Sequence, residues 1–106
     1  MPDIIFALTT KNGIEIRLTK TQWKHISYRH PEMAGRQADI KETILNPTAI
    51  RKHSKEITKF YKFLKDKKQY IMVAVKLLDH EGFVATAYLT LKIQKEKEYG
   101  NEKNNI

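Results

Sequence analysis

The chain contains no cysteine, so disulfide bonds, cysteine-based zinc sites and catalysis by a thiol nucleophile are excluded. It also has no apolar run that approaches the length of a membrane-spanning helix. Residues 1–6 lack the basic segment that opens an export signal. We therefore expect a cytoplasmic protein that makes no contact with a membrane.

Positive charge is what the chain has in excess. Its 106 residues include 20 Lys and Arg against 12 Asp and Glu, which gives a formal net charge of +8. A hydrophobic content of 41% is enough for one modest core. Because neutralising a polyanion releases its counterions, this charge favours RNA or another polyanion as partner. A solvated, lysine-rich surface would have the same composition.

Local patterns predict the element order ββααββββ in one domain, residues 1–93, followed by a charged and frayed tail, residues 94–106. Strands are predicted at 3–9, 13–18, 48–53, 58–64, 70–78 and 82–93, and helices at 23–30 and 36–45. Asn12-Gly13 predicts a two-residue type I′ turn, because both positions of that turn need positive φ. Thr19 and Gln22 have the spacing of a capping box before the first helix. This order is typical of an α+β domain with an antiparallel sheet and two early helices.

The last two predicted strands each have one apolar face, which we expect to face the core. These faces comprise Ile71, Val73, Val75 and Leu77 in the first strand and Phe83, Ala85, Ala87, Leu89 and Leu91 in the second. The opposite faces comprise Tyr70, Met72, Ala74 and Lys76, and Val84, Thr86, Tyr88 and Thr90. They mix apolar bodies with polar tips, which suits an active-site floor and an ordinary half-exposed sheet face equally well.

The first helix carries the richest chemistry, with two imidazoles, a guanidinium and a carboxylate between Trp23 and Glu32. Trp23, Ile26 and His30 share the side that should face the core. His25 and Arg29 are four residues apart on a neighbouring face, so they can serve one site. Tyr28 lies close to that face. Zinc fits poorly, because His25 and His30 point about 140° apart around a helix.

This inventory can cleave RNA without a metal. One group must take the proton of the 2′-hydroxyl, another must protonate the leaving oxygen, and a cation must stabilise the phosphorane. Histidine suits the first two roles and arginine the third. Each residue also has a structural interpretation: His30 could bond a helix-end carbonyl, Arg29 could serve the helix dipole, and Tyr88 could only pack across strands.

The strings Trp23-Lys24-His25-Ile26, Arg29-His30-Pro31-Glu32, Ile44-Leu45-Asn46-Pro47 and Thr86-Ala87-Tyr88, in this order and spacing, resemble the phage-associated branch of the barnase/EndoU/colicin/RelE-like nucleases. The strand pair 70–76 and 83–88 completes the match. The resemblance implies two helices on a curved antiparallel sheet, the BECR fold, and a metal-independent, toxin-like endoribonuclease. It implies no cofactor, and a cognate antitoxin or immunity protein as a further partner.

The resemblance carries over the following site residues: His25, Arg29, His30, Glu32, Thr86 and Tyr88. We expect His25 to act as general acid or base and Arg29 to hold the phosphate, with Thr86 and Tyr88 lining the floor opposite. His30 or Glu32 is expected to supply the second proton-transfer group or to orient His25. Tyr28 and Lys76 are expected to bind substrate. Two other classes stay open: a non-catalytic nucleic-acid-binding module, which includes an inactive member of the family, and an interaction subunit that uses strand 59–65.

Overall fold

A computed structural model of the chain describes residues 3–94. The elements within these residues are β1 (Ile4–Thr9), β2 (Glu15–Thr19), α1 (Lys20–Arg29), a single 3₁₀ turn (Pro31–Met33), α2 (Gln37–Leu45), β3 (Ala49–Lys52), β4 (Ile57–Leu64), β5 (Gln69–Leu77) and β6 (Glu81–Thr90). The predicted α+β class and the order ββααββββ are confirmed. The predicted tail, apart from Gln94, lies outside the described residues. Neither α1 nor α2 is long and apolar enough to cross a bilayer.

The six strands form one mixed sheet in the order β1-β2-β6-β5-β4-β3. All neighbours are antiparallel except β2 and β6, which run parallel. The prediction of an antiparallel sheet is therefore wrong at this one junction. The direction of β6 is set by the antiparallel run β3-β4-β5-β6, and the side-chain pattern of a strand carries no information about the direction of its neighbour.

The parallel junction is short and is held by one guanidinium. It pairs Glu15 with Glu81, Ile16 with Gly82 and Arg17 with Phe83. Two carboxylates directly opposite each other would repel. Arg17 bridges them, with its Nη2 at 2.7 Å from Glu15 Oε1 and its Nη1 at 2.9 Å from Glu81 Oε1. Its guanidinium carbon also lies 5.9 Å from the centre of the Phe83 ring.

The predicted hairpin between β1 and β2 is present, but its turn is of another type. The Gly13 amide donates to the Thr10 carbonyl at 2.9 Å, and the Thr10 amide donates to the Ile14 carbonyl at 2.9 Å. Gly13 has φ +84°, and Asn12 does not have positive φ. Lys11 and Asn12 are thus the central residues of the turn, and Gly13 supplies a left-handed residue after it, as in three-residue hairpin loops.

The main core lies between the helices and one face of the sheet. Its buried residues are Leu8, Ile16, Leu18, Ile26, Met33, Ile40, Ile44, Phe60, Leu64, Ile71, Val73, Val75, Val84 and Ala87. A smaller apolar cluster, Tyr61, Met72 and Ala74, lies on the other face of the sheet. Met72 and Ala74 are therefore buried rather than half-exposed, although the predicted core face of β5 is confirmed.

A β-bulge in β6 reverses part of its predicted pattern. Ala74 pairs with Thr86, but the next residue, Val75, pairs with Val84, so Ala85 is an extra residue. Val84 consequently points into the main core, where it is 1% exposed, and Phe83 lies beside Arg17 on the other face. The predicted core positions of Phe83 and Ala85 are wrong because a bulge shifts the two-residue alternation by one. The predicted core position of Leu91 is also wrong, because β6 ends at Thr90 and Leu91 is 75% exposed.

Arg36 ties the start of α2 to the turn between β4 and β5. Its Nη1 lies 2.7 Å from Asp39 Oδ2 and its Nη2 lies 3.0 Å from Asp66 Oδ2. The hydrogen bond from Arg36 lowers the pKa of the Asp66 carboxyl, and that bond together with the one to Asp39 raises the pKa of Arg36. This contact positions α2 across β4 and β5.

We predict that Gly82→Ala destabilises the protein. A Cβ at Gly82 would lie 2.9 Å from Leu77 Cδ2, 3.1 Å from the Lys76 carbonyl oxygen and 3.2 Å from Val75 Cγ1. Overpacking of this kind costs about 1–3 kcal/mol of unfolding free energy. Denaturant unfolding of both proteins measures the difference. An unchanged free energy would show that Leu77 moves aside at no cost.

Candidate active site

Helix α1 lies beside the part of β6 that β2 leaves unpaired. The register between β2 and β6 ends at Phe83, and β6 continues to Thr90. Beyond that point α1 takes the place of a neighbouring strand: Ile26 is buried in the main core with Val84, and the Gln22 side-chain amide donates a hydrogen bond to the Ala85 carbonyl. A groove forms where the helix and the strand diverge.

The start of α1 follows one half of the predicted capping box. Thr19 is the N-cap, and its hydroxyl accepts a hydrogen bond from the Gln22 amide at 3.1 Å. The helix therefore begins at Lys20, directly after the predicted N-cap. The other half is wrong, because the Gln22 side chain turns to β6 instead of reaching back to Thr19. The Gln22 amide thereby bonds to a carbonyl that no strand within residues 3–94 reaches at this edge of β6.

The groove has a volume of about 130 Å³ and is open to solvent. Its lining residues are Gln22, His25, Ile26 and Arg29 from α1 and Ala85 and Thr86 from β6. Three of the predicted site residues, His25, Arg29 and Thr86, thus meet at one place. His25 and Arg29 are exposed one turn apart, while Ile26 is 1% exposed and forms the floor. Trp23 packs against the main core, as its helical position predicts.

A second cluster adjoins the groove. The ring centres of His30 and Tyr88 are 5.1 Å apart, with the planes tilted by 42°. His30 Nδ1 lies 3.7 Å from Glu32 Oε2. The main chain of His30 also ends the helix, because its amide donates to the Ile26 carbonyl at 2.8 Å. His30 therefore has a structural role through its backbone and leaves its imidazole between a phenol and a carboxylate.

The same elements contribute to both clusters, since Arg29 precedes His30 in the chain and Thr86 and Tyr88 belong to the same strand. The six residues carried over from the resemblance therefore form two groups near the junction of α1 and β6: His25, Arg29 and Thr86 in the groove, and His30, Glu32 and Tyr88 in the second cluster. Residues 15 to 30 and 86 to 88, remote in sequence, are brought together by the sheet order β2-β6.

The two residues predicted to bind substrate do not line the groove. Tyr28 is 88% exposed, on the solvent side of α1. Lys76 pairs with Phe83 near the other end of β6, and its Nζ lies 3.8 Å from Glu56 Oε1. Segment 59–65, which the sequence suggested as an edge for a partner, belongs to β4 up to Leu64; β5 pairs with the whole of this strand, and β3 pairs with its residues 58–61.

Two groove residues, Gln22 and Ala85, are not among the site residues predicted from the sequence. The spacing from Thr19 marked Gln22 only as a cap residue, and Ala85 contributes its main chain at a bulge that the alternating pattern conceals. No signal in the sequence would have placed Ala85 at a site. Gln22 could have been suspected from its position one turn before His25 and Ile26 on the same helix.

The electrostatics of the groove favour an anion. None of its lining residues is acidic, and Arg29 makes no ion pair with any other residue in the described range. Among residues 3–94, no three His, Asp or Glu side chains converge in a way that could hold a metal ion. A guanidinium, an imidazole and a hydroxyl around a small opening have the chemistry to bind a phosphate group.

The chain matches no protein-family model, and no curated protein or solved structure is significantly similar to it. Its function therefore has to be inferred from the groove and from the residues around it.

We predict that Gln22→Glu destabilises the protein more than Gln22→Leu. Leucine leaves the Ala85 carbonyl without its donor, which costs about 1–3 kcal/mol when the group stays dry. Glutamate additionally places a carboxylate oxygen against a carbonyl oxygen. Denaturant unfolding at neutral pH compares the two, with Thr21→Leu as a control on the exposed neighbouring position. Wild-type stability of Gln22→Leu would contradict the role of the Gln22 amide as a donor, and equal stability of the two variants would contradict the repulsion between the carboxylate and the Ala85 carbonyl.

Proposed function

We propose that the protein is a toxin-like endoribonuclease that cleaves RNA without a metal ion, and that the groove between α1 and β6 is its active site. The observation that carries this proposal is the meeting of His25, Arg29 and Thr86 in one solvent-open groove. The adjoining His30, Tyr88 and Glu32 cluster supports it. The element order ββααββββ with the site between the first helix and the last strand fits a BECR-type nuclease fold, which we propose for this chain.

The proposed reaction begins when a base removes the proton of the ribose 2′-hydroxyl. The 2′-oxygen attacks the adjacent phosphorus, the bond from phosphorus to the 5′-oxygen breaks, and an acid protonates that oxygen. The products are a 2′,3′-cyclic phosphate and a 5′-hydroxyl. His25 supplies one of the two proton transfers, since histidine exchanges protons near neutral pH.

Arg29 and Thr86 have the complementary task of holding the phosphate. Arg29 lies one helical turn from His25, so its guanidinium can bind two non-bridging oxygens of a phosphate that the His25 imidazole also reaches. Charge builds up on these oxygens in the phosphorane, which makes the cation more valuable in the transition state than in the ground state. The Thr86 hydroxyl donates from the opposite wall.

His30 is the second proton-transfer group in this proposal. Its imidazole contacts the Tyr88 ring, and its Nδ1 lies 3.7 Å from Glu32 Oε2. Tyr88 limits the orientations of that ring by contact, and the face of its own ring can take part in stacking an unpaired base.

We predict that His25→Ala lowers the rate of RNA cleavage about 10²- to 10⁴-fold, because it removes a positioned acid or base. The melting temperature should stay unchanged, since His25 is exposed. Cleavage of total RNA in excess EDTA, with analysis of the product ends, measures the effect. His80→Ala, an exposed histidine in the loop between β5 and β6, is the matched control and should retain full activity.

Three results would count against this assignment. Full activity in His25→Ala would transfer the role to another residue, with His30 as the next candidate. A lower melting temperature together with a proportional loss of activity would indicate a structural role. Products with 3′-hydroxyl ends, or activity that EDTA removes and magnesium restores, would indicate a different reaction.

A non-catalytic nucleic-acid-binding module is the second candidate. The net charge of +8 and the exposure of Arg29 support it, because binding needs cations but no acid and base. The two candidates differ in one measurement. A binding module leaves single-stranded RNA intact at saturating protein concentration, whereas the proposed nuclease does not.

We predict that the affinity for single-stranded RNA falls steeply with salt, with a log–log slope of several units. Arg29→Gln should reduce that slope by about one, because it removes one phosphate contact. Lys24→Gln, an exposed cation on another side of α1, is the control for a charge that the groove does not use. A flat response between low and physiological salt would contradict an electrostatic interface.

A further inference from the structure

Strand β1 forms one edge of the sheet and carries no charge. The two edges of the sheet are β1 and β3. Residues 4–10, Ile-Ile-Phe-Ala-Leu-Thr-Thr, contain no charged residue, proline or glycine, although 30% of the chain is charged. Ile4 is 44% exposed, and Ala7 and Thr9 are exposed. Uncharged runs also occur in β5 and β6, but those strands are central and paired on both sides along part or all of their length.

The opposite edge, β3, has two features that hinder pairing with strands of other molecules. β3 has only four residues, and two of them are the exposed cations Arg51 and Lys52. Short edge strands and outward charges both prevent edge-to-edge association. β1 has neither; its one irregularity is a β-bulge between Ile4 and Phe6, and the register from Phe6 to Thr9 is regular. The contrast between the two edges therefore favours pairing at β1.

The main chain of β1 is available for such a contact. The Thr10 amide bonds to the Ile14 carbonyl, and Leu8 pairs with Ile16. Antiparallel strands alternate between residues that bond to the neighbour and residues that face away, so Leu8 bonds to β2 while Ala7 and Thr9 present their amides and carbonyls outward. Within residues 3–94, no strand pairs with this outer side.

We propose that β1 pairs antiparallel with β1 of a second copy of this chain, about a two-fold axis close to Ala7. The strand suits itself as a partner: the small Ala7 side chains meet at the axis, Phe6 of each strand lies opposite Leu8 of the other, and the remaining pairs match an isoleucine with an uncharged threonine. At each end this pairing brings Lys11 of one strand near the partner's Asp3, which provides opposite charges. Two chains of charge +8 thus meet at an uncharged edge rather than at a cationic one.

The resulting dimer is closed. A two-fold axis perpendicular to the sheet uses the same edge of both copies and leaves only the two β3 edges at the outside. The cations of β3 oppose further addition of strands. The pairing consequently stops at two copies, and the groove between α1 and β6 is not part of the interface.

Light scattering after size exclusion, over a range of protein concentrations, tests the proposal. The wild-type chain should approach the mass of two copies as concentration rises. Ala7→Lys places two ammonium groups face to face at the axis and should raise the dissociation constant roughly tenfold or more. Ile50→Lys adds the same charge to the exposed surface of the β3 edge and should leave the dimer intact.

Two further measurements separate a lost interface from a lost fold. Ala7→Pro removes one outward amide while keeping the bonds of β1 to β2, so it should also give a folded monomer. Hydrogen exchange on the wild-type protein should show slower exchange of the Ala7 and Thr9 amides at high concentration. A wild-type monomer at every concentration, assemblies larger than two, loss of the dimer in Ile50→Lys alone, or concentration-independent exchange at Ala7 would each overturn the proposal.

Discussion

The short parallel contact between β2 and β6 is the constraint on which the rest of the molecule depends. It joins the N-terminal hairpin and α1 to the four-strand antiparallel run at the C-terminal side through three residue pairs. In the first pair Glu15 and Glu81 face each other, and Arg17 neutralises both. In the second, Ile16 faces Gly82, where a side chain would collide with β5. In the third, the Arg17 guanidinium lies beside the Phe83 ring. This contact positions β2, and with it the start of α1, beside β6, and the Gln22–Ala85 hydrogen bond and the burial of Ile26 hold the helix there.

The groove exists because this contact ends early. β2 leaves β6 after Phe83, and the bulge at Ala85 bends the strand where α1 replaces β2 as its neighbour. The Gln22 amide supplies the hydrogen bond that a strand would otherwise provide. Backbone geometry and one side-chain amide therefore hold the elements that carry the proposed catalytic groups, of which His25 and Arg29 remain exposed. Stability and activity should for this reason be largely separable at His25 and Arg29.

Charge is distributed unevenly over the molecule, and the distribution differs between the ion pairs of the fold, the groove and the β1 edge. Four acidic side chains form ion pairs that join elements of the fold. Glu15 and Glu81 bind Arg17, and Asp39 and Asp66 bind Arg36. The groove lining contains none. The β1 edge lacks charge of either sign, which removes the usual barrier to strand pairing. One surface thus suits a polyanion and another suits a second copy of the chain.

The sequence by itself determined the local structure. Two-residue and 3.6-residue periods, turn residues and the cap at Thr19 predicted the number, type and order of the elements, because these signals act between residues that are close in the chain. The spacing of His25 and Arg29 likewise predicted that they share one face of α1. Thr86 meets His25 and Arg29, and Tyr88 meets His30, because β6 lies beside α1. The resemblance suggested this placement, and no local pattern could show it.

Only the tertiary structure decided the parallel direction of β2 and β6, the bulge at Ala85, the turn of Gln22 towards β6 and the distance of Lys76 from the groove. Each depends on contacts between segments tens of residues apart, whose free energies compete with one another during folding. The bulge in particular leaves no trace in the sequence pattern, because Val84 and Ala85 are both apolar and either could face the core. The register with β5 is what places Val84 inside and opens the groove at Ala85.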